Sequence, residues 1–163
     1  MIIVSDTTPL HYLVLIGEVW LLPKLFGRVI IPPVVAAEMR QPKTPAIVRG
    51  WIDAPPSWIE MREPTALDPT IQLGAGEVAA ISLALEINAD AVLMDDWKAR
   101  REAIARGLTV AGTLNILRSA ALKDSIDLPS AVAKLEQTNF HLPAQLIADL
   151  LREDADRKQQ SQT

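Results

Sequence analysis

Short apolar runs rich in β-branched residues alternate with helical runs along the chain, and this alternation restricts the fold more than any other feature. The strand-like runs are Ile2–Ser5, Arg28–Ile31, Ala91–Met94 and Leu108–Ala111. Strands that are separated by helical segments usually pair in parallel through helical crossovers. The alternation therefore predicts an α/β protein with a central, mostly parallel sheet.

Capping residues and apolar periodicity predict the helices between these strands. The first helix is expected to begin at Pro9, capped by Thr8, and to stop near Gly17. Further helices are expected at residues 33–40, 76–88, 98–106, 113–122, 129–137 and 143–152. The proline-rich segment 41–69 is harder to assign, with a helix at 45–52 and an extra edge strand at 58–62 as the options.

Length and composition predict one globular domain over residues 1–152, followed by a polar and disordered tail at 153–163. No apolar run has the length of a membrane span and no leader segment is evident, so we expect an intracellular, cytoplasmic protein without membrane contact. The absence of cysteine excludes disulfides, thiolate metal sites and a cysteine nucleophile.

The net charge of −4 argues against a broad, nonspecific nucleic-acid surface. A local basic patch is still available in the stretch KARREAIAR, at Lys98, Arg100, Arg101 and Arg106.

Acidic residues follow two of the predicted strands. Asp6 comes directly after the first strand, and the pair Asp95-Asp96 follows the run that ends at Met94. The carboxyl ends of parallel strands meet at the edge where open α/β sheets bind ligands. One aspartate of the pair is expected to cap the following helix, and the other is free for a different role because side chains alternate along a strand.

Two glutamates have the phase of a buried helical stripe. Glu77 lies opposite Ser82 and Glu86, which are expected on the exposed face of their helix, and Glu38 is in line with the apolar Val34 and Val35. Glu77 is otherwise explained as a first-turn acid that favours the helix dipole, and Glu38 as an ordinary surface residue.

Carboxylates that are brought together repel one another unless a cation neutralises them. Oxygen ligands of this kind suit Mg²⁺ or Mn²⁺, so Asp6 is expected to share a metal ion with acids from later in the chain. Pairing of these acids with arginines such as Arg40 or Arg100 is the alternative.

Five stretches together resemble the PIN-domain family, and in particular its branch of VapC-like ribonuclease toxins. They are VSDTTPL, LFGRVIIPPVVAAEM, GAGEVAAISLALE, AVLMDDWKARREA and GLTVAGTLNIL, in the order of the family and over residues 1–125. The resemblance implies a three-layer α/β/α fold and RNA cleavage with Mg²⁺ or Mn²⁺ held by acids.

The resemblance carries the catalytic and metal-binding roles onto four acids, with Asp95 as an additional or rival ligand. The four are Asp6, Glu38, Glu77 and Asp96. Thr8 and Thr113 match supporting hydroxyl positions, and helix capping is the simpler explanation for both. The chain departs from the branch at Trp97, where an arginine often follows the two aspartates, and at Asn115, where glycine is frequent.

The basic helix is the predicted RNA contact. Trp97 could stack on a base, although packing is the commoner role of such a ring. Phosphate is the predicted partner of the cations that follow it, and exposure to solvent is the alternative. These cations are Lys98, Arg100 and Arg101.

The implied function is a metal-dependent endoribonuclease, the toxin of a toxin–antitoxin pair, with a small antitoxin as protein partner and a homodimer as the expected assembly. The alternative is an RNA- or protein-binding module of the same fold with little or no catalysis. A receiver domain or a haloacid-dehalogenase-type phosphatase is disfavoured, because Asp6 is followed by Thr7-Thr8 instead of further acids.

Overall fold

The computed structural model describes all residues, 1–163, and places five short strands in one parallel sheet. The strands are β1 (Ile3–Ser5), β2 (Val29–Ile31), β3 (Ile59–Met61), β4 (Ala91–Leu93) and β5 (Val110–Ala111). Their order is β3-β2-β1-β4-β5, and every neighbouring pair is parallel. The predicted α/β class with a central parallel sheet is confirmed.

Strand β1 lies at the centre of this order, which is the point where the chain changes direction across the sheet. Ser5 of β1 is in register with Leu93 of β4, and the backbone N–H of Asp6 donates to the carbonyl of Leu93 at 2.9 Å. Asp6 and the residues after Leu93 therefore leave the sheet side by side, at the edge where open parallel sheets bind ligands.

Six helices surround the sheet in the first part of the chain. They are α1 (Thr7–Leu15), α2 (Leu21–Phe26), α3 (Pro33–Met39), α4 (Ala46–Asp53), α5 (Ala75–Glu86) and α6 (Trp97–Ala105). Helix α3 begins at Pro33, whose fixed backbone angle suits a first helical position. The proline-rich segment forms both the short helix and the edge strand that were its options.

Helix α1 begins earlier than expected, and the prediction of Thr8 as its cap is wrong. Asp6 occupies the N-cap position in an extended conformation, and the helix starts at Thr7 without a side-chain cap. The strand runs directly into the helix, so Thr8 is already the second helical residue.

Helix α5 packs against β1 and β4 and is apolar nearly all round. Ser82, expected on an exposed face, is only 6% exposed because the loop at Asp68 covers it, and the backbone N–H of Asp68 donates to the Ser82 hydroxyl at 3.0 Å. Glu86 is exposed as expected and accepts hydrogen bonds from Thr65.

Contacts divide the chain into two compact units, residues 1–113 and 114–163. The predicted single domain over 1–152 stays a prediction. The second unit contains most of α7 (Thr113–Leu122), together with α8 (Leu128–Glu136) and α9 (Ala144–Ser161). No helix in the chain has the length and apolar character needed to span a membrane.

Helix α9 continues through residues 153–161, where the composition predicted a disordered tail. Asp154 is buried in this segment and forms ion pairs with Arg157 at 3.2 Å and with Lys158 at 2.9 Å. These ion pairs stabilise a helical segment that its low apolar content alone does not predict.

Candidate active site

Asp6 is the most buried acid at the carboxyl edge of the sheet. Its side chain is 3% exposed, and Oδ1 is buried without a hydrogen-bond partner. Burial, joined by the charges of Glu77, Glu38 and Asp95 and opposed by the hydrogen bond from the Thr7 backbone, raises the pKa of Asp6 to about 7. A buried acceptor without a donor, surrounded by other acids, has the environment that a bound cation would neutralise.

Glu38 lies where three helices meet. Its Oε2 accepts a hydrogen bond from the hydroxyl of Thr7 on α1, and its Oε1 accepts one from the backbone N–H of Gly76 on α5 at 2.9 Å. A Cβ atom at position 76 would lie 2.5 Å from Oε2. Glycine at position 76 is therefore what allows the Glu38 carboxylate to contact the start of α5.

Thr7 contacts a candidate site residue, and sequence reasoning did not single it out. The hydroxyl position was assigned to Thr8, but Thr7 is the residue that bonds to Glu38. The adjacent threonines were the available signal, and the choice between them depends on the first residue of α1.

Glu77 is half-buried in the first turn of α5. Its Oε2 accepts the backbone N–H of Gly74 at 3.2 Å, which agrees with the simple explanation of a first-turn acid. Its pKa is nevertheless raised, first by burial and then by the charges of Asp96 and Glu38, while Gly74 and Lys98 oppose the shift. Glu77 therefore serves the helix terminus and also belongs to the acidic group.

The two aspartates after β4 have different partners. Asp96 caps α6, because its Oδ2 accepts the backbone N–H of Ala99 at 3.0 Å, and this confirms that one of the pair is a cap. Asp95 accepts both the backbone N–H and the hydroxyl of Thr113, each at 2.7 Å. Burial raises the pKa of Asp95, and these two bonds and the charge of Arg100 oppose the rise.

Arg100 is directed toward the acids instead of toward solvent. Its Nη1 donates a hydrogen bond to the carbonyl of Met94 at 3.2 Å. A Cβ atom at position 112 would collide with Arg100 Nη1 and lie 2.8 Å from Asp95 Oδ1, so glycine there leaves room for both side chains. Pairing of the acids with arginine, the alternative to a shared metal ion, is thus supported at Arg100. Arg40 instead forms an ion pair with Asp53 at 3.1 Å.

The other residues of the predicted RNA contact lie on the first turns of α6. Trp97 is 69% exposed, and the guanidinium carbon of Arg101 lies 4.5 Å from the centre of its ring. Lys98 is exposed and lowers the pKa of Glu77 by its charge. Trp97 is thus open to solvent and is not a packed core residue.

The donor chemistry of these acids suits a hard divalent cation, because every potential ligand is an oxygen. Asp6 also has an oxygen without a partner. However, no group of three or more His, Asp or Glu side chains is arranged so that it could hold a metal ion. Metal binding by these acids therefore requires some of their side chains to move from the positions that the structure gives them.

Comparison with known proteins gives one family match and one structural likeness. The model of the DUF3368 family, described as a PIN domain, matches residues 2–156. A PilT N-terminus domain protein from the hyperthermophilic archaeon Sulfolobus solfataricus P2 has a similar solved structure, with a TM-score of 0.47 and 13% identity over 88% of this chain and 100% of that one. No curated protein matches the chain significantly.

Proposed function

This chain belongs to the PIN-domain family, whose members are generally nucleases, and on that premise we propose that it is a metal-dependent endoribonuclease. The observation that carries the proposal is the buried Asp6 carboxylate, whose Oδ1 lacks a partner while three other acids raise its pKa. A bound divalent cation resolves the repulsion within such a group.

The proposed ligands of Mg²⁺ or Mn²⁺ are Asp6, Glu38 and Glu77, with a fourth from the Asp95-Asp96 pair. PIN domains commonly use divalent metal ions, and these carboxylates supply the oxygen donors that either ion prefers. The charge of Asp95 contributes to the raised pKa of Asp6, which favours Asp95 as its neighbour. The charge of Asp96 contributes to the raised pKa of Glu77, which favours Asp96 as the neighbour of Glu77. When bound, the ion supplies positive charge for the scissile phosphate and lowers the pKa of an attacking water.

Glu77 or Asp96 is proposed to orient the attacking water and to accept its proton. Glu77 is half-buried, its pKa is raised, and its hydrogen bond to Gly74 leaves the other carboxylate oxygen free for the ion or its water. Glu38, held between Thr7 and Gly76, acts as a fixed ligand. Lys98, whose charge reaches Glu77, is placed to attract the phosphate backbone.

Attack in line at phosphorus breaks the bond to the 3′ oxygen of the preceding nucleotide, and the products carry 5′-phosphate and 3′-hydroxyl ends. The ribose 2′-hydroxyl takes no part in this reaction. Selection of RNA over DNA must therefore come from binding and not from the chemical step.

The proposed biological role is that of the toxin in a toxin–antitoxin pair, acting in the cytoplasm as a homodimer that a small antitoxin inhibits. The five stretches that resemble the VapC-like branch support this role. Co-purification with the product of the neighbouring gene, and loss of RNA cleavage in that complex, is the test.

A second candidate function is a nucleic-acid- or protein-binding module without catalysis. It is favoured by the absence of any group of three acids that could hold a metal ion without rearrangement. Such a module would bind RNA without cleaving it in the presence of either metal.

The experiment that separates the two functions is cleavage of mixed structured and single-stranded RNA by the purified chain, with Mn²⁺, Mg²⁺ or EDTA. Asp6→Asn is the inactive variant. Asp127→Asn is the matched control, because Asp127 caps α8 and lies in the other unit. Metal-dependent cleavage that Asp127→Asn keeps and Asp6→Asn loses supports the proposal, whereas equal cleavage by both variants contradicts it.

A further inference from the structure

Trp97 is an unusual surface residue for this chain. It is 69% exposed, more than any other large apolar side chain except Met1, and it is the first residue of α6. A single exposed apolar side chain needs no explanation by itself. The neighbours of Trp97 are what give it a possible role.

Arg101 lies one turn along α6 with its guanidinium carbon 4.5 Å from the centre of the Trp97 ring. A cation over one face of an aromatic ring is attracted to it and restricts its orientation. The side chain is still 69% exposed beside this cation, so part of the ring surface is open to a ligand.

Helix α6 starts at the acidic group. Asp96 caps α6 directly after the end of β4, Trp97 is the first residue of the helix and Lys98 is the second. A phosphate at these acids would therefore have an aromatic face and two cations, Lys98 and Arg101, close by. Arg100 is directed to Met94 and Asp95 and is not part of this surface.

The charges on this part of α6 favour a polyanion as the occupant. Arg101 lies over the ring and Lys98 is the next residue of α6, in a chain whose net charge is −4. An aromatic ring flanked by cations is the combination that proteins use to bind single-stranded nucleic acid, with bases on the ring and phosphates on the cations.

We propose that Trp97 and Arg101 form a stacking platform for an unpaired base of the nucleic-acid substrate, next to the phosphate that is cleaved. This inference rests on the proposed nuclease function and adds to it the two residues that hold a base beside the reacting phosphate. Bases in a duplex hide their faces, so the platform selects single strands and tolerates any base.

The test is binding of a fluorescently labelled RNA single strand and of a matched duplex, measured by anisotropy. All variants carry Asp6→Asn, so that cleavage does not interfere. Trp97→Ala is expected to weaken single-strand binding by about 5- to 150-fold, the range for loss of one base–aromatic stack. Trp97→Phe should keep part of the affinity, and duplex binding should not change.

Trp20 provides a matched control within the same chain. It is 43% exposed, Lys24 lies 5.6 Å from its ring centre, and its Nε1 donates to Glu18. Trp20→Ala therefore removes a similar cation-covered ring and should leave RNA binding unchanged.

A scan with single abasic nucleotides locates the stack. In the protein with Trp97, an abasic nucleotide at one position of the strand should weaken binding of the strand more than at the others. In Trp97→Ala, an abasic nucleotide at that position should have no such extra effect. Equal single-strand affinity with and without Trp97 would overturn the platform, and the exposed stripe of Trp97 and Ile104 would then suit a protein partner.

Failure of the platform and failure of the proposed function give different results. Cleavage that depends on Asp6 but not on Trp97 would overturn the platform alone. Trp97-dependent binding without any metal-dependent cleavage by the wild type would overturn the nuclease function and leave the platform standing.

Discussion

Gly76→Ala is the substitution that most sharply tests how Glu38 is positioned. A methyl group at position 76 would lie 2.5 Å from Glu38 Oε2, 2.8 Å from Oε1 and 2.9 Å from Cδ. Ordinary van der Waals contact begins at 3.4 Å, so the carboxylate must retreat by about 0.9 Å. The hydrogen bond from the Gly76 backbone to Oε1 is lost or distorted at the same time.

The expected loss of stability is modest and the expected loss of activity is large. A hydrogen bond to a charged group contributes about 1.5–3 kcal/mol, while alanine in a helix gains up to about 1 kcal/mol over glycine. With the full helix gain, the free energy of unfolding should therefore fall by about 0.5–2 kcal/mol. Cleavage should fall about 100-fold, because a misplacement of about 1 Å in a catalytic group has that effect.

Gly50→Ala is the matched control. Gly50 lies within α4, and a Cβ atom there would meet nothing within 4 Å. Urea denaturation should show a gain of about 0.5–1 kcal/mol from helix propensity alone, and RNA cleavage should not change.

A double-mutant cycle separates the collision from the helix effect. In a Glu38→Ala background the carboxylate is absent, so Gly76→Ala should stabilise α5 slightly, and the coupling energy should be about 2 kcal/mol. Wild-type cleavage by Gly76→Ala, or a coupling energy near zero, would refute the reasoning about Glu38.

Three further predictions concern the same acids. Thr7→Val should lower the free energy of unfolding by about 1–2 kcal/mol and reduce cleavage, because a hydroxyl donor to a carboxylate is lost, whereas Thr8→Val should do neither. In EDTA, protonated Asp6 should contribute stability that is lost as the pH rises from about 4 to 7, because the folded state keeps a proton that the unfolded chain has released; melting curves of Asp6→Asn should show a smaller loss over this range, with the remainder from Glu77 and Asp95. Asp96→Asn should keep the helix cap but lose cleavage, while Asp127→Asn, also a cap, should keep both.

The strands and the placement of Asp6 were accessible from the sequence because both depend on local pattern. β-branched runs of the right length mark buried strands, and parallel pairing brings their carboxyl ends to one edge. The proximity of Asp6 to Asp95 follows from those two facts. Helical phase predicted Glu77 on a buried stripe, and Glu77 is half-buried, but Ser82 on the predicted exposed face is buried as well, and the bond to Gly74 also makes Glu77 an ordinary first-turn acid.

The features that sequence reasoning missed depend on contacts between distant parts of the chain. The loop at Asp68 covers Ser82, and helical phase contains no information about a loop. The ion pairs of Asp154 order a segment that composition alone predicts as disordered. The hydroxyl partner of Glu38 is Thr7 because α1 starts two residues before Pro9, and a shift of that size is within the uncertainty of any helix boundary read from sequence.

The measurement that tests the central claim most directly is calorimetric titration of Mn²⁺ into the metal-free wild type and into Asp6→Asn. If the Asp6 carboxylate is the core of a metal site, the wild type should bind Mn²⁺ and the variant should lose at least tenfold in affinity, about 1.4 kcal/mol. Equal binding by the two proteins, or no binding by either, would contradict the assignment of Asp6 as a metal ligand.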